Sequence, residues 1–514
     1  MTTSTTGVPE LTRGRRWIAL SVLALAVLLI AVDATVLAIA TPFLSEDLEP
    51  TGVQLLWIGD SYGFVIAGLL VSMGSLGDRI GRKKLLLIGA SAFGLISILN
   101  AHAPTAEVMI AARALLGVAG ATLMPSTLAL IRNIFSDPAE RTVAIGVWGA
   151  MSSAGMAIGP ILGGALLEHF WWGSVFLINV PVMVVLVIAG IRLLPESKAT
   201  RAGAWDLPSV LLSLVGMFGV VYAIKELFAV GPRLDILLAA VVGVAALAVY
   251  LRRQRRLENP LLDLSLFANR SFSAAVLADL LAILGLSGLV FFLSQYFQLV
   301  QGYRPLLAGL AELPSVVGAI VFGLLAGRVG RLIGVRVGIT VGLIALSLPM
   351  AALIFVGPHT AYPVLGLLML IVGSGAGLTF TLTADLILTS APAEQAGAAS
   401  GVSETAYELG GALGIALIGS VVTSVYRGFT APAGVPAAVA DAARESLGGA
   451  VHAAAGLPDG LRSALLEAAR TAFTDGLRYA GLAGGLVLLL AAIVVGLAMR
   501  TTARETEPDR TTRS

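Results

Sequence analysis

Acidic side chains stand inside stretches of this sequence that are otherwise apolar. Asp33 lies within LLIAVDATVLAIATP, and Glu404 and Glu408 lie in another long apolar run. A charged side chain at the centre of a bilayer costs about 2.5–3.5 kcal/mol on insertion scales, so such a residue needs a partner or a function. A carboxyl in a low-dielectric site can alternate between a protonated and a charged form. These residues are therefore candidates for binding a proton or a cation.

Asp33 has two interpretations. It lies roughly 24 Å along a helix from Trp17, at 1.5 Å per residue, and so in the outer half of a membrane. Arg113 is the strongly intramembrane cation of the sequence, and a fixed buried ion pair between the two is one possibility. The other is that Asp33 loads and unloads a proton or a cation, with Arg113 close to the coupling site.

Glu404 and Glu408 are four residues apart and share one face of a helix with Gly397 and Gly401. The glycines let a neighbouring helix approach, so this face is expected to meet protein or a cavity rather than lipid. The two carboxyls could exchange a proton for an organic cation. They could instead form an interhelical hydrogen-bonded pair.

Three more aspartates are weaker candidates. Asp60 lies near the outer end of the second apolar run, where it could line a substrate vestibule or belong to the interfacial aromatic belt. Asp279 and Asp385 lie nearer the opposite side of the membrane, and each could face a cavity.

The composition places these residues in an integral membrane protein. Of the 514 residues, 57% are hydrophobic and 12% are charged, and the mean hydropathy is +0.92. A net charge of +2 offers no field for nucleic acid, and the absence of Cys excludes disulfides and thiolate metal sites. The four His residues lie outside or at the ends of the apolar runs, so no metal site is expected. No phosphate-binding GxxxxGK[ST] loop occurs, and no cofactor is expected.

The apolar runs predict fourteen membrane-spanning helices, each about long enough to cross the hydrocarbon core. Most Lys and Arg residues fall on one side if the N-terminus is cytoplasmic, as the positive-inside rule requires. The predicted division is a cytoplasmic N-tail (1–16), an N-terminal six-helix bundle (17–194), two inserted spans with cytoplasmic linkers (195–271), a C-terminal six-helix bundle (272–500) with an extracellular helical hairpin (427–475), and a cytoplasmic C-tail (501–514).

The segment GSLGDRIGRKK, residues 74–84, joins the second and third spans, and LLAGRVGRLIGVR echoes it in the second half. Such an echo indicates a duplicated transporter. The first segment either anchors the topology or forms a cytoplasmic gate in which Asp78 and Arg79 latch the closed state. The echo lacks the acid, so no second latch of this kind is expected. The gate candidates are Gly74, Asp78, Arg79, Gly81 and Arg82.

The fifth span is rich in glycine. Glycines at four-residue spacing make a smooth helix face, and a proline removes a backbone donor and kinks the helix. The pattern predicts a close-packed hinge between the halves, although packing alone would also explain it. The hinge candidates are Gly155, Gly159, Pro160, Gly163 and Gly164.

Together these segments resemble the major facilitator superfamily. GSLGDRIGRKK is similar to its loop signature, AVDATVLAIATP to the first-span motif of its fourteen-span drug/proton antiporters, and SSAGMAIGPILGG to the fifth-span motif of its exporters. RALLGVAGATLMPS resembles the fourth-span motif with its buried arginine, and WWGSVFLINVP also fits except at Gly173. The resemblance covers residues 17–500 and points to bacterial exporters of quaternary ammonium compounds and dyes.

The resemblance implies an all-α integral membrane protein with two six-helix bundles plus two extra helices. It implies a proton-coupled multidrug exporter in the inner (plasma) membrane of a bacterium, acting as a monomer on organic cations such as quaternary ammonium compounds, dyes and biguanides. One alternative is an exporter of an endogenous metabolite or lipid on the same fold. Another is a non-transporting sensor or an intramembrane enzyme, although no nucleophile–base constellation supports an enzyme.

Overall fold

The computed structural model describes residues 12–50, 52–198 and 206–499. The α-helices of these residues are, in chain order, α1 (Arg13–Leu48), α2 (Gly52–Ile80), α3 (Arg82–Ala101), α4 (Ala106–Ile134), α5 (Pro138–His169), α6 (Ser174–Leu177), α7 (Asn179–Leu193), α8 (Leu207–Val230), α9 (Leu234–Gln254), α10 (Arg270–Gln295), α11 (Pro305–Ala311), α12 (Leu313–Ile333), α13 (Val335–Ala352), α14 (Tyr362–Ser390), α15 (Ala396–Tyr426), α16 (Ala437–Glu445), α17 (Leu447–Ala454) and α18 (Asp459–Ala498). A π-helical turn at Tyr296–Val300 extends α10.

Fourteen helical segments of the described chain are long and apolar enough to cross a membrane, which confirms the predicted all-α membrane fold. Hydrocarbon offers no partner for a backbone N–H or C=O, so a spanning segment must satisfy these groups internally, as a helix does. Leucine, isoleucine and valine cover the outer surface of the bundle, including Leu497, Leu238 and Val241, which are all exposed.

The helices form two six-span halves. We call α1–α7 the N half, and α10–α15 with α18 the C half. The halves meet along two seams, where α2 packs on α15 and α5 packs on α12. The inserted helices α8 and α9 pack on each other, and α8 also contacts both α2 and α15.

Each end of the bundle has a distinct set of elements. One end holds the beginning of α1, the α2–α3 connection and the end of α18, and we call it the terminal face. The other end holds α16 and α17, and we call it the hairpin face. At the terminal face, two hydrogen bonds of 2.8 and 2.9 Å from Arg253 bind the Asp206 carboxylate and hold its pKa below the usual range.

Prolines interrupt two of the spans. The ring of a helical proline clashes with the carbonyl four residues earlier. For Pro181 that residue is Leu177, where α6 ends, and α7 begins two residues later at Asn179. Pro314 likewise follows the break between α11 and α12. The first break brings the Asn179 side chain into the interior of the N half.

The structure differs from the helical hairpin predicted at 427–475 in the second arm of that hairpin. Helices α16 and α17 form one side, but the second predicted segment continues into the last span as the 40-residue helix α18. The Ala-rich sequence from Asp459 favours helix throughout and contains no proline that would end it. Leu447 and Ala450 are buried in the core of the C half, so α17 packs with that half.

Candidate functional site

A cavity lies between the two halves, and we call it the first cavity. Its volume is about 110 Å³, and it is bounded by α4 and α5 of the N half and by α10, α12, α14 and α15 of the C half. Its walls are mainly apolar, with the aromatic side chains Trp148, Phe380 and Tyr407 among them. Two carboxyls, Asp279 and Glu404, also line it. The cavity therefore combines apolar walls with acidic groups.

Asp279 is held in this cavity by hydroxyl groups from two neighbouring helices. Its side chain is buried, and it accepts hydrogen bonds of 2.7 Å from Ser403 Oγ on α15 and 3.1 Å from Thr383 Oγ1 on α14. A hydroxyl can donate to a carboxylate or accept from a protonated carboxyl. This arrangement can therefore hold Asp279 in either protonation state.

Glu404 and Glu408 line different cavities. Glu404 is buried against the first cavity, whereas Glu408 lines a second cavity of about 510 Å³ between α2, α5, α8, α10 and α15. Residues four apart on a helix differ by about 6 Å along its axis, which separates the two carboxyls. Tyr407 and Met156 line both cavities, so the two spaces adjoin.

Asp33 lies inside the N half, in a buried ion pair with Arg113. Arg113 Nη1 donates to Asp33 Oδ2 at 3.0 Å, and the two side chains are 1% and 0% exposed. Asn179 Nδ2 donates to the other oxygen, Oδ1, at 2.8 Å. The guanidinium carbon also lies 4.6 Å from the centre of the Tyr62 ring. These contacts join α1, α4 and α7. The structure contains the Asp33–Arg113 ion pair, which is one of the two interpretations of Asp33 drawn from the sequence.

At the terminal face, Asp78 joins the two halves. Its carboxylate accepts from Arg82 Nη2 at 2.7 Å and from the backbone N–H groups of Gly397 and Ala398 at 3.0 and 3.1 Å. These N–H groups belong to the first turn of α15 and have no partner within the helix. The positive end of the α15 dipole also favours a carboxylate. Asp78 therefore caps a helix of the opposite half.

Among the described hydrogen bonds and ion pairs, Asp78 binds Arg82 rather than the predicted Arg79. Arg82 is 2% exposed and also donates to the carbonyl of Ala393 at 2.7 Å. Arg79 instead donates to Ser75 Oγ and to the carbonyl of Asn259. Arg79 directly follows Asp78 in the chain and precedes Arg82 by three residues. Its side chain therefore leaves the helix in a different direction from the side chain of Asp78.

Two further contacts join the halves at the terminal face. Arg132 at the end of α4 donates to the carbonyls of Ala391 and Pro392, which follow α14. Arg141 and Thr142 on α5 bind the Asp385 carboxylate at 2.7 and 2.9 Å. Asp385 is thus part of an ion pair between the halves. We call the contacts of Arg132 and Asp385, together with those of Asp78 and Arg82, the clamp.

The glycines of the gate segment allow the close approach at the clamp. A Cβ atom on Gly74 would overlap the carbonyl oxygen of Gly397 in the opposite half. Gly81 has a φ of 113°, a region that disfavours side chains, and it places Arg82 at the start of α3. A second glycine pair, Gly146 and Gly323, makes the corresponding contact between α5 and α12.

The predicted hinge glycines have different neighbours from those expected. Gly155 and Gly159 pack against α1 of the same half, at Leu28 and Thr35, rather than between the halves. The α5 face that meets the other half carries Gly146, nine residues earlier than Gly155 and so on another side of the helix. Gly163 is buried, and Gly164 opens on empty space.

The side chains of two predicted residues, Asp60 on α2 and Pro160 on α5, lie outside the described residues. Two further contributors to the site, Asn179 and Arg132, are not predicted from the sequence. Asn179 lies within the WWGSVFLINVP motif, and its amide side chain in an apolar run, two residues before Pro181, is the sequence feature that distinguishes it. Arg132 ends a helix, where a cation commonly meets carbonyl groups, but its partners are in the other half.

Comparisons with known proteins agree on one family. Residues 23–415 match the family model of the Major Facilitator Superfamily. The chain is 44% identical over 503 residues to the multidrug efflux pump LfrA of Mycolicibacterium smegmatis, covering 97% of this chain and 100% of LfrA. It is 37% identical to the methyl viologen resistance protein SmvA of Salmonella typhimurium, covering 93% and 97% of the two chains.

A solved structure shares the fold. The human organic anion transporter MFSD10 superposes with a TM-score of 0.62 and 16% identity, over 92% of this chain and 99% of that one. At 16% identity, this similarity shows a shared fold and nothing about cargo. The family model, the efflux and resistance proteins similar to this chain, and the cavity between two helical halves agree with one another. The chain therefore belongs to the Major Facilitator Superfamily and is a multi-pass membrane transporter, not an enzyme.

Proposed function

We propose that this transporter exports lipophilic organic cations in exchange for protons. The observation that carries the proposal is the pair of buried carboxyls, Asp279 and Glu404, in an otherwise mainly apolar cavity between the halves. Quaternary ammonium compounds, cationic dyes and biguanides are the expected cargo. The terminal face lies in the cytoplasm of a bacterial cell, the protein spans the inner membrane, and a single chain is the working unit.

The chemistry of the first cavity fits such a cargo. An aromatic face stabilises a bound cation by about 2 kcal/mol or more when the site is desolvated, and apolar walls remove the rest of a lipophilic molecule from water. Trp148, Phe380 and Tyr407 offer aromatic surface, and Asp279 and Glu404 offer negative charge. The names of LfrA and SmvA, which refer to multidrug efflux and to resistance to the organic cation methyl viologen, support the same assignment.

Proton coupling follows if one carboxyl cannot hold a proton and a cationic cargo together. A protonated Asp279 or Glu404 loses its attraction for the cargo, so entry of protons from outside favours release. Asp33 takes part through Arg113, because protonation of Asp33 removes the counter-charge of that buried guanidinium. The guanidinium of Arg113 would then have to bind other groups, and its side chain would have to move to reach them. In this way the charge of Asp33 is coupled to the packing of α1, α4 and α7.

The clamp provides the conformational step. Its contacts close the terminal face in this structure, and they must break when that face opens to take up cargo. Alternation between the two states would move the halves about the cavity that they enclose.

The test is dye efflux from proteoliposomes under an imposed proton gradient. We expect gradient-dependent export by the wild type, and at least a tenfold loss in Asp33→Asn and in Glu404→Gln, because an amide cannot carry the charge. Asp441→Asn is the matched control, since Asp441 is exposed on α16 and paired only with the neighbouring Arg444 in the described contacts. Its rate should equal that of the wild type.

A wild type that is indifferent to the gradient would overturn the antiport mechanism. Full activity of Asp33→Asn and Glu404→Gln would remove those two residues from the coupling mechanism. Each variant should be compared at equal abundance in the membrane and with the same monodisperse elution after purification.

A further inference from the structure

Asn179 connects Asp33 to a third helix. The asparagine side chain is fully buried at the start of α7, two residues before Pro181. Its Nδ2 atom donates to Asp33 Oδ1 at 2.8 Å and to Ser97 Oγ of α3 at 3.1 Å. An amide nitrogen carries two hydrogens, so it can make both bonds at once. Asn179 therefore ties α7 to α1 and to α3 through one atom.

The other polar atom of this amide is left unused. Asn179 Oδ1 is buried and accepts no hydrogen bond from the part of the chain that the structure describes. A buried acceptor without a partner is unfavourable, and folded proteins contain few of them. If the amide turned by half a turn, its NH₂ group would take this place and would lack a partner in the same way. This end of the side chain therefore favours neither orientation.

The groups at the other end of the amide decide its orientation. A charged Asp33 can only accept hydrogen bonds, so it must face the NH₂ group, as it does here. A proton on Asp33 belongs on Oδ1, because Oδ2 faces the Arg113 guanidinium, which only donates. The new O–H then needs an acceptor, and the turned amide supplies Asn179 Oδ1. The Ser97 hydroxyl fits both orientations, because it can accept from NH₂ or donate to Oδ1.

We propose that Asn179 is a positioning residue that reverses its amide when Asp33 takes up a proton. The amide holds Asp33 in place in both charge states, and it neither gains nor loses a proton itself. The bonds from α7 to α1 and α3 persist in both states, whereas Arg113 loses its counter-charge. Protonation therefore loosens α4 from α1 and leaves α1, α3 and α7 joined. This inference rests on the proposed function, in which Asp33 changes its charge during transport.

The charged and titratable groups that face Asp33 in the described chain come from α2, α4 and α15. Arg113 of α4 donates to Asp33, and Tyr62 of α2 lies against the Arg113 guanidinium. Glu408 of α15 interacts electrostatically with Tyr62. Helix α5 packs on α1 there through Gly159, and α6 and α7 contribute neutral side chains. The variants below leave all of these charges in place, so a changed pH dependence reports on the amide.

Asn179→Leu removes the amide and keeps a side chain of similar size. The bond from the amide to a charged carboxylate is stronger than the bond to a protonated one, so its loss favours the protonated form. We expect the midpoint of Asp33 protonation to rise by about one pH unit, which is an about tenfold tighter binding of the proton. Infrared pH-difference spectra of the purified full-length protein measure this midpoint, and Asp33→Asn identifies the Asp33 band. The pH of half-maximal dye efflux should rise as well.

Asn100→Leu is the matched control. Asn100 is a fully buried amide on α3, three residues from Ser97, and its Nδ2 donates to the carbonyl of Ile96 in its own helix. Its Oδ1 also lacks a partner among the described residues. Loss of a buried amide should lower stability in both variants, whereas the midpoint of Asp33 protonation should stay at the wild-type value in Asn100→Leu.

A second measurement follows the amide itself in the wild type. The sequence contains five asparagines, so isotopic labelling of asparagine marks few side chains. The Asn179 carbonyl band is the one missing in Asn179→Leu, or in the smaller Asn179→Ala if leucine does not fit. We expect this band to move to lower frequency when Asp33 is protonated, because Oδ1 then accepts hydrogen bonds that it lacks in the charged state.

The outcomes separate this inference from the proposed function. A wild-type midpoint in Asn179→Leu would overturn the inference, and so would an equal shift in Asn100→Leu. An Asn179 band that stays in place when Asp33 is protonated would overturn the reversal of the amide. Dye export that is indifferent to the proton gradient would overturn the proposed function, and the infrared midpoints would still decide the role of Asn179.

Discussion

Asp78 and Arg82 show how single residues can link two helical bundles. The carboxylate of Asp78 caps the first turn of α15, and Arg82 balances that charge while it binds the carbonyl of Ala393. Both side chains are nearly fully buried. Removing one charge from a buried pair costs about 3–5 kcal/mol, because the other charge remains without compensation. That cost falls on the state in which the terminal face is closed.

We expect Asp78→Asn to destabilise the closed terminal face and to lower dye efflux at least tenfold. The asparagine can still accept a hydrogen bond, but it cannot neutralise the buried Arg82. The measurement is efflux from proteoliposomes, with thiol-reagent labelling of Gly149→Cys, a single cysteine in the wall of the first cavity, from the terminal side as a second readout, which should become faster. Equal efflux and equal labelling in the variant would reduce the α2–α3 segment to a topology anchor.

At the scale of elements, the seams between the halves depend on glycine. Gly74 and Gly397 face each other between α2 and α15, and Gly146 and Gly323 do so between α5 and α12. Small residues allow two helix backbones to approach, and the clamp contacts require that approach. The two seams differ in how the N-termini of their helices are capped. The α5 helix has its own cap, Asp137, whereas the cap of α15 comes from the other half.

Gly74→Ala tests the α2–α15 seam. An added methyl group would overlap the carbonyl of Gly397, so the halves would have to separate. We expect efflux to fall severalfold and the terminal face to become more accessible to a thiol reagent at Gly149→Cys. The matched control is Gly309→Ala, a helical glycine whose Cβ atom would meet nothing within 4 Å. The same loss in both variants would show that the effect is not specific to the seam.

At the scale of the whole molecule, the elements on the hairpin face belong to the C half. Tyr426 at the end of α15 donates a hydrogen bond to the carbonyl of Ala443 on α16. Leu447, Ala450 and Leu457 are buried with the core of the C half. Helix α18 continues from this region through the last span. Motion of the C half should therefore carry α16 and α17 with it.

Replacing residues 432–457 by a Gly/Ser linker should lower the thermal stability of the purified protein. Burial of a leucine side chain contributes about 1.5–3 kcal/mol, so loss of this packing should lower the melting temperature by several degrees while the spans keep their helical content. We also expect altered dye efflux, because the segment lies at the end through which cargo leaves in the proposed mechanism. Circular dichroism melting curves and proteoliposome efflux measure the two effects, and wild-type values in both would contradict the prediction.

The sequence by itself determined the number of spans and the family, because apolar length and short loop motifs are local properties of a segment. It also marked Asp33, Glu404 and Glu408, and less strongly Asp60, Asp279 and Asp385, as candidates, since a carboxyl in an apolar run stands out without any knowledge of its neighbours. Only the tertiary structure decided which groups meet. The bond between Asp78 and Gly397 joins residues 319 positions apart, and the Asp33–Arg113 pair joins residues 80 positions apart. Such contacts depend on how helices cross and on which side each helix turns toward its neighbour, and hydrophobic periodicity is weak in spans that are apolar on every face. For the same reason the structure, rather than the four-residue spacing, placed the carboxyls of α15 in two different cavities.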